Sequence, residues 1–184
     1  MELILILELL AIFILVILII SRRIFISYQE PAEKKVKDYF SDYIFKLLKG
    51  EKTPLEEAIF KKHSSPTILL RVLENYDRQI KSPQWSEIKN FVSNQYLLPI
   101  GRKLIGSQDW IERNFSARCF ALCPEEQDRD TILLLIDDPQ LLVGIVAARA
   151  AIKLELKEGI IKIINKMDRD KEFAYDRYRD LIVR

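Results

Sequence analysis

Two cysteines, one histidine and two adjacent aspartates are the side chains of this sequence whose types and spacing could do chemistry. Cys119 and Cys123 stand four apart, so on a helix they share a face and could give two ligands to a zinc ion. A tetrahedral site needs four, and His63 sits far away in a polar junction, Lys61-Lys62-His63-Ser64-Ser65-Pro66. As a general base His63 would need an orienting partner and a nucleophile beside it, and its neighbours offer neither. Cys119 therefore reads as a small buried packing residue. Asp137-Asp138 could hold a cation, but with Pro139 next they read as a cap and turn, Asp138 capping and Pro139 opening the helix that follows. Gly101 and Gly106 lack the Lys-Ser/Thr of a phosphate loop. The residues thus predict no catalytic, cofactor or metal site, and a protein that is not an enzyme.

The elements that must position these residues read as helices. Val36, Tyr39, Phe40, Tyr43, Ile44, Leu47 and Leu48 recur at helical spacing, and Gly50 follows as a stop. Thr53-Pro54-Leu55-Glu56 is a capping box with proline in the first turn. Ser65-Pro66 opens a helix carrying Ile68, Leu69, Val72, Leu73, Tyr76 and Ile80 inward. Ser82-Pro83 opens another, with Trp85, Ile88, Phe91 and Val92 inward. No stretch sustains period-two alternation and no Asn-Gly or Asp-Gly turn occurs, so the predicted class is all-α. The 184 residues suffice for a real core. With 29 basic and 27 acidic residues the net charge is +2, which gives the chain no electrostatic reason to seek nucleic acid.

The N-terminal stretch over residues 3–20 is apolar apart from Glu8 and is followed by Arg22 and Arg23. It lacks a basic start and a small-residue cleavage site, so it reads as a retained single transmembrane helix, from Leu3 through Phe13 to Ile20. The basic flank, with Lys34 and Lys35, predicts an N-terminus outside and a cytoplasmic domain, at the inner (plasma) membrane. In that compartment a disulfide is not expected. Glu8 reads as a shallow charge that snorkels or protonates.

An internal repeat stands out in the C-terminal half. Sliding 109–123 by 31 residues onto 140–154 brings Trp110 to Leu141, Arg113 to Gly144, Ser116-Ala117 to Ala147-Ala148 and Cys119 to Ala150. A weaker third copy runs from Ile160 to Val183. Helix pairs at this period predict a solenoid. With Leu134-Leu135-Ile136-Asp137-Asp138-Pro139 followed by Val143, Ala147, Ala148 and Ala150, the chain resembles the short HEAT-repeat family, an armadillo-type α-solenoid. Gly144 departs from the arginine usual there, which weakens the ladder between turn aspartate and helix arginine; Arg113 keeps that arginine one repeat earlier. The expected organisation is an anchor over 1–28, a helical cap over 29–106 and HEAT-like repeats over 107–184. Phe173, Tyr175 and Tyr178 read as closing the stack.

The resemblance implies assembly or regulation of a complex. The expected function is a membrane-tethered scaffold with a membrane-associated protein partner, the bilayer met through residues 3–20. Two alternatives stand beside it. One is a ligand-binding or lyase-type subunit, as in some short HEAT-like families. The other is nucleic-acid binding through a basic stripe around Lys61, Lys62, Arg71 and Arg78.

Overall fold

Serine, proline and glycine set the boundaries of the helices before any long-range packing does. A computed structural model describes residues 13–17, 20, 33–51 and 65–169 of the chain, and every described element is helical. Helix α1 spans 33–48 and buries Val36, Phe40, Tyr43 and Ile44. It ends where Gly50 takes a φ of 85°, with the Glu51 N–H reaching the Lys46 carbonyl and the Gly50 N–H reaching that of Leu47. That pattern satisfies the last carbonyls and requires a left-handed residue, which glycine supplies without a Cβ penalty. Helix α2 is Ser65–Gln79 and α3 is Pro83–Val92. The Ser82 side chain caps α3 by accepting from the Trp85 N–H, as the Ser-Pro signal predicts.

Pro99 would break a straight continuation of α3, because its ring meets the carbonyl four residues back. The chain instead widens into a π turn over Ser93–Leu97, the Leu98 N–H reaching Ser93 five residues back, and then runs on as α4, Leu98–Leu104. Helix α5 is Trp110–Leu122, capped by Asp109. A 3₁₀ turn at Glu126–Asp128 leads into α6, Arg129–Ile136. Helix α7 is Leu141–Lys153 and α8 is Lys157–Arg169. Asp138 and Pro139 lie in the turn and do not open α7: the chain needs Asp137–Gln140 to reverse direction, and the N-cap is Gln140. Asp138 still serves the helix start, its carboxylate accepting from the Gln140 N–H.

Helices α5 and α7 have the same length and begin 31 residues apart. They form the most extensive interface among the described elements, with α2 against the other side of α5. A second layer holds α4, α6 and α8, α6 packing on both α7 and α8. Next-but-one packing of this kind needs small residues where backbones approach. Ser116, Ala117, Ala147, Ala148 and Ala150 are fully buried, and Cys119 nearly so. A Cβ on Gly159 of α8 would stand 2.7 Å from the Ala151 Cβ of α7, a distance that forbids any larger residue there without a helix shift. One buried cluster runs from Val36 to Ile163, so the core is continuous across residues 106 and 107.

The expected membrane span is corrected. Crossing a bilayer takes about 20 mostly apolar residues in one helix. No helix among the described residues is long and apolar enough to cross a membrane. Of residues 3–20 the structure describes 13–17 and 20, helical and exposed, including Phe13 and Ile20; Leu3, Glu8, Arg22 and Arg23 lie outside the described residues. The single-pass topology and the inner-membrane placement rested on that span and fall with it. The capping box at Thr53, His63, the pair Lys61-Lys62, and the end of the third copy with Phe173, Tyr175 and Tyr178 also lie outside the described residues.

Candidate functional site

Helices α2, α5 and α7 turn a row of charged and small apolar side chains toward one another, and an open groove of about 410 Å³ runs between them. Its apolar wall is Ala121 and Leu122 of α5 with Leu142 and Val146 of α7, Leu142 being 46% exposed. Its charged residues are Glu74, Asp77, Arg78, Arg118, Arg149 and Lys153.

Both carboxylates are already engaged. Arg118 grips Glu74 with two bonds, Nε at 2.9 Å and Nη2 at 2.6 Å, tying α5 to α2. The bond to Glu74 pushes the Arg118 pKa up, against the lowering effect of its burial. Asp77 accepts from the Trp85 indole N–H at 3.1 Å and from Lys89 at 3.0 Å. Burial alone would raise the Asp77 carboxyl, yet the bonds from Lys89 and Trp85 hold it below the usual carboxylate range.

The cations are less well compensated. The Lys153 residue is exposed along its stem, but its ammonium donates to the Ala121 carbonyl at 2.6 Å, and desolvation there, with Lys89 and Lys81 nearby, lowers its pKa. Arg78 donates to the backbone carbonyl of Glu74 in its own helix. Arg149 is exposed and has no ion pair among the described residues. Asn114 of α5 also lines the groove, and its Oδ1 is buried without a hydrogen-bond partner among the described residues.

Of this set the sequence pointed only to Arg78, although a further signal was present. Arg118 and Arg149 follow Ala117 and Ala148, two positions that the 31-residue offset superposes. A repeat in register puts both arginines on one face. The first meets Glu74, and the second has no ion pair among the described residues.

The residues singled out from sequence form a separate, structural set. Arg113 donates to Asp138 through Nε at 2.6 Å and Nη2 at 3.1 Å, and its Nη1 reaches the carbonyls of Ser107 and Gln108. Asp138 is thereby joined to α5 as well as to the start of α7. Lys166 of α8, itself buried, donates to the carbonyls of Ile136 and Asp138 in the same turn. One layer away, Arg102 of α4 grips Asp128 at 2.7 and 2.8 Å and Glu125 at 2.5 Å, and the bonds to Asp128 push its pKa up. Trp110 opens α5 partly exposed, beside the more exposed Ile111, while Val143 is fully buried.

Neither cysteine lines the groove. Cys119 is buried against Gly101, and burial pushes its thiol far up. Cys123 lies 3.3 Å from Asn90 Oδ1, and burial raises its pKa as well. A thiol kept protonated is a poor nucleophile and a poor ligand. Among the described residues no group of three or more His, Cys, Asp and Glu could hold a metal ion. Arg71 of the suspected basic stripe faces Glu33 at 4.0 Å, and Arg78 belongs to the groove.

A second, more apolar cavity of about 700 Å³ lies between α1, α3 and the π turn, lined by Tyr43, Leu47, Ile88, Phe91 and Tyr96. Burial beside Tyr96 and Tyr39 pushes the Tyr43 phenol up to about 12. No family model matches this chain, and no curated protein and no solved structure matches it either.

Proposed function

We propose that this chain is a HEAT-like helical-repeat module that binds a polypeptide partner along the groove of α2, α5 and α7. The observation that carries the reading is the groove itself. Helix α5 packs on both α2 and α7, and the three present one open surface that combines apolar and charged side chains. Such a surface suits an extended partner better than a small substrate, which is held by a closed, mostly apolar pocket. The matched lengths of α5 and α7 at a 31-residue offset support the repeat reading, and the Arg113–Asp138 pair supplies the turn-to-helix ladder that the resemblance implies.

The test is crosslinking in intact cells, capture of the tagged full chain and mass spectrometry, with two variants beside the wild type. Leu142→Glu puts a charge on the apolar wall of the groove. Ile161→Glu puts the same charge on an exposed apolar site of α8, away from it. A specific partner should be recovered with wild type and Ile161→Glu and fall about tenfold or more with Leu142→Glu. Equal recovery with all three proteins sinks the groove as the binding surface.

The cavity beside Tyr43 favours a second reading, a small-ligand-binding subunit, since its volume falls in the range of such sites. Native mass spectrometry of the purified full chain separates the two. A retained small molecule supports the second reading, and release of that molecule by Phe91→Glu would place it in the cavity.

A further inference from the structure

We infer that the groove of α2, α5 and α7 takes an acidic segment of its partner, with a carboxylate seated on Arg149 and a large apolar side chain against Leu142 and Val146. This rests on the groove reading above and names the chemistry of its occupant.

The argument is one of charge complementarity between equivalent positions. Arg118 and Arg149 lie 31 residues apart on helices of equal length. At the first step, α2 supplies Glu74 and the arginine is paired within the chain. At the next step, the groove-lining residues of α5, Asn114, Arg118, Ala121 and Leu122, include no carboxylate, and Arg149 has no ion pair among the described residues. The carboxylate missing from α5 is what a partner would bring. Its neighbours favour the same sign. Glu74 is bonded to Arg118 and Asp77 to Trp85 and Lys89, with Asp77 also attracting Lys153, so the four cations of the groove outnumber its two carboxylates.

The groove also distinguishes among anions. The apolar side chains of Ala121, Leu142 and Val146 would stay wet under a phosphodiester backbone, and among the described residues no aromatic side chain lines the groove to stack a base. The two fixed carboxylates at its edge repel a uniform polyanion more than a peptide that spaces its charges around an apolar residue.

The test is selection of a random peptide library, displayed on phage, against the full chain. The expected result is enrichment of sequences in which Asp or Glu flank a large apolar residue. Their affinity should drop about tenfold or more with Arg149→Glu, less with Arg149→Gln, and fall as salt is raised. Ile161→Glu should leave it unchanged, and circular dichroism should show all variants equally helical. Enrichment of neutral or basic sequences overturns the acidic occupant while leaving the groove reading to the capture experiment. Acidic sequences that bind Arg149→Glu as well as wild type overturn it in the same way. No enrichment at all also overturns it. If single-stranded oligothymidylate displaces the selected peptides and binds as tightly as they do, the site is a general polyanion site and the proposal fails.

Discussion

Trp85→Ala should cost about 3–5 kcal/mol of folding stability, read as a lowered urea midpoint with little change in slope. Trp85 is 1% exposed and joins α3 to α2. Truncation leaves a large cavity in close-packed surroundings, removes the tilted ring contact with Tyr76 at 5.7 Å, and strips Asp77 of its indole donor. Trp85→Phe keeps most of the ring volume but not the N–H, and should cost about 1 kcal/mol. The difference separates packing from the hydrogen bond. Trp85→Phe also frees one acceptor position on Asp77 at the groove edge, so a binding assay should register a change larger than the stability loss explains. Full stability in Trp85→Ala would show that α3 does not dock on α2 as described.

Asp138→Ala should cost about 2 kcal/mol at neutral pH, through lost bonds to Arg113 and to the Gln140 N–H at a helix start. The Asp138 side chain is 5% exposed, so its partners have no ready substitute in water. The pH dependence follows from the direction of its shift. Desolvation would raise the carboxyl, but the bonds from Arg113 and Gln140 and the charge of Lys166 hold it below the ordinary aspartate value. A depressed folded pKa means the contribution is fully present above the unfolded value of about 3.9 and is lost as the pH falls through the folded one. Wild type should therefore lose stability steeply in acid, and Asp138→Ala should show a shallower acid limb. Parallel limbs in the two proteins would contradict the assignment.

The local chemistry of this chain was readable before its packing. Ser82-Pro83 starts a helix and Gly50 stops one because each acts on backbone groups within a turn of itself. The 31-residue offset was readable because α5 and α7 must present small residues at the same places. Pairs that join distant helices were not. Arg118 meets Glu74 across 44 residues, and each alone reads as one more charge on a solvated face. The π turn ahead of Pro99 has no periodicity signal of its own, since the chain absorbs the proline inside one long helical run. The apolar stretch at residues 3–20 suggested a membrane anchor from composition alone. The described helices do not supply one.

Site-specific photocrosslinking tests the central claim most directly. A photoreactive phenylalanine analogue at Leu142 looks into the groove, and the same residue at Ile161 looks out from α8. In intact cells the protein should form a discrete adduct with one polypeptide from position 142 and none from position 161. An adduct from position 161 alone, or none from position 142 while the captured partner is present, would contradict a groove that holds the partner.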